Sequence, residues 1–107
     1  MYRNILLPVA YEPGIDAEKE LAAARQLLTP GGRVTLLHVM DPVPVFAIDY
    51  MPEGYRDDLV GAIRADLERQ AATVPGARAA VIEGDAAREI IDWATREEPE
   101  CIILATH

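Results

Sequence analysis

The sequence predicts an α/β domain built on an open, doubly wound parallel sheet, with elements in the order β-α-β-α-β-α-β. Three observations lead to that class. Four short apolar runs lack the strict polar alternation of a half-exposed strand, as parallel strands covered on both faces do. Amphipathic helical stretches separate the runs, which points to crossover connections of the right-handed kind. Glycine and proline punctuate the boundaries between them.

The elements follow in order. Ile5-Leu6-Leu7 opens the first strand, and Pro8 interrupts it. Asp16 is the expected cap of the first helix, because its carboxylate suits the free N–H groups of an opening turn. Glu18 and Glu20 suit the positive end of the helix dipole. Ala17, Leu21, Ala24 and Leu28 share one face, and Pro30-Gly31-Gly32 is the expected stop. Val34 to Met40 is the second strand, rich in β-branched residues and closed by Asp41-Pro42. The second long helix is expected from about Asp57 to Thr73, with Leu59, Ile63, Leu67 and Ala71 spaced by four and Val60 and Val74 flanking them. Pro75-Gly76 ends it. Ala79 to Ile82 forms the third strand, closed by Gly84. Asp85 is the expected cap of the last helix, which turns Ala87, Ile90, Ile91 and Ala94 inward until Pro99 forbids continuation. Trp93 is expected at the border of that stripe. Cys101 to Ala105 is the fourth strand.

One segment resists this scheme. Asp41 to Tyr55 carries Val43, Val45, Phe46, Ile48, Tyr50 and Met51 with three prolines. So apolar a loop needs cover, either over a cleft, against a partner, or wrapped onto its own domain.

With 107 residues the chain makes one domain with a modest core. Half the residues are apolar, yet no run approaches the roughly 20 that span a bilayer. The start of the chain has no signal-peptide pattern. The lone Cys101 excludes an internal disulfide, which suits a reducing, cytoplasmic setting. A net charge of -8 argues against nucleic acid and anionic membranes as partners. It leaves room for a nucleotide, whose phosphates backbone N–H groups can hold.

Ligands of open parallel sheets bind beyond the carboxyl ends of the strands, where strand order reverses. That singles out Pro8-Val9-Ala10-Tyr11-Glu12, Val39-Met40-Asp41, Gly84-Asp85 and Ala105-Thr106-His107.

The same residues carry a resemblance. Ile5-Leu6-Leu7-Pro8-Val9, Leu36-Leu37-His38-Val39, Gly84 and the closing Cys101-Ile102-Ile103-Leu104-Ala105-Thr106-His107 together resemble the universal stress protein family over the full length. The resemblance implies strand order 3-2-1-4 and a regulatory module in stress response, likened to a cytoplasmic homodimer. It implies an adenine nucleotide, ATP (with Mg²⁺) or AMP, with adenine near Pro8 and Val39 and the phosphates at Ala105, Thr106 and His107. Val9, Ala10 and Gly84 complete the implied binding set. Two positions depart from the family pattern: Ala10 stands where an aspartate is usual, and Ala105 where a glycine is common. The family's glycine-rich phosphate loop, last helix and fifth strand would follow His107, so the chain is expected to be C-terminally incomplete. If complete, it would leave an apolar edge that demands pairing with another chain.

Individual residues have competing readings. His38 reads as a half-buried structural histidine rather than a base. His107 is either ligand-facing or a frayed terminus, and Thr106 either meets a phosphate or caps a following helix. Cys101 reads as a core residue. Glu97, Glu98 and Glu100 read as a solvated turn rather than a metal site, and no spacing matches a metal-ligand set. The chain has no serine, so no Ser–His–Asp triad exists. Nothing identifies a flavin site. The first-strand loop matches neither an adenylating pyrophosphatase nor a phospho-receiver, so enzymatic activity reaches at most weak ATP hydrolysis. The alternative to nucleotide sensing is a homodimeric scaffold that binds protein partners without a nucleotide.

Overall fold

The computed structural model describes residues 1–12 and 14–104. Its elements are β1 (Tyr2–Pro8), α1 (Glu18–Leu27), β2 (Leu28–Met40), α2 (Val45–Ile48), α3 (Tyr55–Ala71), β3 (Ala77–Glu83), α4 (Ala86–Glu97) and β4 (Cys101–Ile102). The four strands are parallel in the order β3-β2-β1-β4. That is the predicted α/β architecture. Ile5 pairs with Val34 on one side and Cys101 on the other, so β1 is central.

Strand alternation divides the core into two layers. Ile5, Leu7, Val34 and Leu36 pack with Leu21 and Ala24 of α1 and with Ala71 and Val74. Met40 and Val81 pack with Ile63 and Leu67 of α3. Leu6, Thr35 and Leu37 alternate to the opposite face and are also buried. There α4 lies against β2. Two helices on one face and one on the other is what successive right-handed crossovers require when the chain moves outward twice and then returns across β1. Cys101, half-buried, packs on the first of these clusters as a core residue.

Several local expectations shift. Asp16 does not cap α1: the residue before the helix is Ala17, without a side-chain cap. Arg69 binds the Asp16 carboxylate at 3.1 Å instead. The helix also stops at Leu27, and Leu28 enters β2 opposite Tyr2, because Pro30 biases the preceding residue towards extended backbone. Leu28 still reaches the core, from a strand. Leu59 stays exposed at the start of α3.

In α4 the inward face is Ile90, Trp93, Ala94 and Glu97, the i, i+3, i+4, i+7 stripe. Ala87 and Ile91 turn outward, Ile91 with 64% exposure. Trp93 thus sits within the stripe rather than at its border, and Arg96 lies 5.1 Å over its ring. The Asp85 cap stands as expected, accepting from Arg88 N–H at 3.1 Å.

The apolar segment after β2 wraps only partly onto its domain, with Val43, Ala47 and Met51 half-buried. Val45, Phe46 and Tyr50 are 84%, 80% and 88% exposed around the single turn of α2. Among the described residues no helix is long and apolar enough to cross a membrane.

Candidate functional site

The carboxyl ends of β1 and β2 open into a cleft of about 410 Å³. It falls within the roughly 300–1,000 Å³ typical of small-molecule sites. Its floor comes from the strand ends: Pro8 of β1, with Leu37, His38 and Val39 of β2. Pro8 has no N–H to extend the ladder, so the chain leaves the sheet there. Val9 makes one last sheet bond, its N–H donating to Leu37 O at 2.8 Å. Val9, Ala10, Tyr11 and Glu12 then form one wall.

This wall is held at both ends. His38 Nδ1 lies 2.8 Å from Val9 O and 3.2 Å from Tyr11 N. The Tyr11 and His38 rings sit 6.1 Å apart at a tilt of 59°. At the far end, Ala17 N–H donates to Gln70 Oε1 at 2.9 Å. Gln70 is 4% exposed and donates its own amide to Asp66 Oδ2 at 3.1 Å. Asp66 and Asp16 both bind the Arg69 guanidinium, and these bonds raise its pKa further above the ordinary arginine value.

The opposite wall comes from the element that crosses the sheet. Ala86 and Ile90 of α4 line the cleft, and Leu104, beyond β4, closes one side. Leu104 is placed by Ile103 N–H donating to Leu6 O at 2.9 Å. Asp41 stands beyond the end of β2 and also lines the cleft.

The structure therefore brings Pro8, Val9, Ala10 and Val39 together. Gly84 is not part of the lining. Its N–H donates to Met40 O at 2.9 Å, and the Glu89 side chain fills the space beside its Cα. Ala86 takes the place expected of it. Ala105, Thr106 and His107 lie outside the described residues. Tyr11, Glu12 and Asp41 follow from their strand-end positions, whereas Ile90, Leu37 and Leu104 enter the site only through the fold. Gln70 escapes a reading of the sequence; its place as a polar residue on the Ile63, Leu67, Ala71, Val74 stripe, where burial demands a partner, is the signal that could have found it.

Chemically the cleft is an apolar slot with an acidic rim. Pro8, Val39 and Ile90 suit a flat ring, while Glu12 and Asp41 supply polar contacts. No lysine or arginine is among the described lining residues. No group of three metal-ligating side chains occurs among the described residues.

Comparison with known proteins places this arrangement. The fold matches the hypothetical protein MJ0577, the subject of a structure-based assignment of biochemical function. That match has a TM-score of 0.75 at 20% identity and covers 98% of this chain and 76% of that one. It matches the universal stress protein UspA from Lactobacillus plantarum with a TM-score of 0.71 at 19% identity, over 97% and 77%. A universal stress protein family member from Burkholderia pseudomallei gives 0.57 at 19% identity, over 98% and 83%. At these identities the likeness is one of fold. No curated protein matches the chain. The model of the universal stress protein family, however, matches residues 1–107 in full, and the chain belongs to that family.

Proposed function

We propose that this universal stress protein domain binds an adenine nucleotide, ATP or AMP, in the cleft at the carboxyl ends of β1, β2 and β4. The observation that carries the reading is the meeting of Pro8, Val9, Ala10 and Val39 with Ala86, Ile90 and Leu104 around one apolar slot. An adenine ring fits between Pro8 and Val39 on one side and Ile90 on the other. The ribose hydroxyls donate to Glu12 or Asp41, since a carboxylate is an acceptor. The acidic rim repels phosphates, so they point away from Glu12 and Asp41; the family resemblance assigns them to Ala105, Thr106 and His107, which lie outside the described residues. Mg²⁺ would accompany ATP there. The role is binding and regulation. Among the described lining residues no group is assigned as a catalytic base or nucleophile.

Titration calorimetry of the protein with ATP, AMP and cyclic AMP tests the reading. Saturable heat with ATP or AMP, lost in Val39→Glu, supports it. Absence of heat and of any thermal shift with all three overturns it.

A second reading has its own observation. Val45, Phe46, Ile48 and Tyr50 expose an apolar surface on a connecting segment, and such patches mark protein contacts. In this reading the domain is a homodimeric scaffold in stress response that binds protein partners. Sedimentation at rising concentration separates the two: a strict monomer that binds nucleotide leaves the first standing alone.

A further inference from the structure

One ring nitrogen in the site has two backbone neighbours. His38 Nδ1 lies 2.8 Å from the Val9 carbonyl oxygen and 3.2 Å from the Tyr11 amide nitrogen. A neutral imidazole nitrogen either carries a proton or offers a lone pair. It serves the carbonyl or the amide, never both at once.

We infer that His38 is the positioning residue of the β1–α1 loop: its Nδ1–H donates to Val9 O and fixes the cleft wall. Nε2 is then the unprotonated nitrogen. Two features select this tautomer over its opposite. The carbonyl contact is the shorter, whereas the amide contact is at the long end of the hydrogen-bond range. The Val9 N–H is also already bound to Leu37 O at 2.8 Å. Consecutive residues of β2 thus grip the N–H and the C=O of a single loop residue. A strand normally releases the chain where its ladder ends, so this grip extends β2's hold one peptide further. Tyr11, tilted against the imidazole, restricts the ring's rotation.

The consequence is preorganisation. Val9, Ala10 and Tyr11 stand in place before a ligand arrives, which spares the ordering cost on binding. That consequence for ligands rests on the nucleotide reading, whereas the tether itself does not.

Two measurements on nucleotide-free protein test the tether. Long-range ¹H–¹⁵N correlation spectra should show neutral His38 protonated at Nδ1, and an Nε2–H tautomer overturns the inference. Amide hydrogen exchange should quicken about fivefold at Val9, whose own N–H is bound to Leu37 O, when His38→Phe removes the hydrogen bond to its carbonyl. His38→Asn, whose side-chain amide reaches the place of Nδ1, should stay within about twofold of the wild type. Equal exchange in all three proteins overturns it. If both tether readouts hold and AMP does not bind the wild type, the tether stands and the nucleotide reading falls. If AMP binds the wild type and His38→Asn alike but His38→Phe about fivefold more weakly, both stand.

Discussion

Gln70 reaches from α3 to accept the Ala17 amide proton at 2.9 Å, so a side chain of one helix holds the backbone just ahead of another. The contact joins residues 53 apart in the chain, and α1 itself has no side-chain cap. This coupling makes the β1–α1 loop part of the α1–α3 packing rather than a free connection. The cleft wall inherits that order.

Gln70→Leu tests the coupling. The Ala17 N–H and the Asp66 carboxylate both lose a partner, while an apolar side chain of similar size keeps the packing. The expected cost is about 1.5 kcal/mol in urea unfolding, with an unchanged m-value. A neutral outcome would mean that water satisfies the Ala17 N–H equally well.

Two glycines should respond in opposite directions. Gly76 has φ +86°, and a Cβ there would run into the backbone carbonyl oxygen of Gly32 in β2. Gly76→Ala should cost about 3 kcal/mol, through left-handed strain together with the clash. Gly61 lies inside α3 with open space around it. Gly61→Ala should stabilise by about 0.8 kcal/mol on helix propensity alone. Thermal melts of the two variants give the comparison, and a shift of equal sign in both contradicts it.

The exposed segment around α2 should be dispensable for folding. Val45, Phe46 and Tyr50 bury little, so replacing all three with serine should change stability by less than about 0.5 kcal/mol. If the scaffold reading holds, the same variant loses concentration-dependent association in sedimentation. A large loss of stability in the monomer would show that these side chains do pack.

Ala10 offers a gain-of-affinity test. It lines the cleft on the wall that His38 holds. Ala10→Asp supplies an ionised acceptor at the position where the family usually has one. Under the nucleotide reading it should tighten AMP binding about tenfold, as a charge-assisted hydrogen bond does. Weaker binding would mean that the Glu12 and Asp41 charges already saturate the site.

How much of this was legible beforehand follows from the range of the forces involved. Ile5 to Leu7 and Val34 to Met40 are continuous apolar runs, and burial on both faces is a property each strand carries alone. The alternation of strands with helices then points to a parallel sheet with right-handed crossovers, while the strand order came from the family resemblance. Asp16 failed as a cap because its carboxylate had a rival donor, Arg69, that local pattern does not reveal. Ile91 was misplaced by one helical position. It is as apolar as Ile90, and only docking of α4 on the sheet decides which of the two turns inward. The site divides in the same way. Pro8 and Val39 sit at strand ends and could be read from topology, but Gly84, two residues before Ala86, depended on where α4 begins. Ile90 and the His38 grip on Val9 depend on contacts between distant segments, and a linear reading holds no trace of their distances.

The most direct test of the central claim is a two-dimensional ¹H–¹⁵N titration of the protein with AMP, followed residue by residue. The account predicts saturable shifts at Val9, Ala10, Val39, Ile90 and Leu104. Arg3, Gly31 and Gly32, at the opposite end of the sheet, should stay still. No shift at millimolar AMP, or shifts confined to residues outside the cleft, would contradict it.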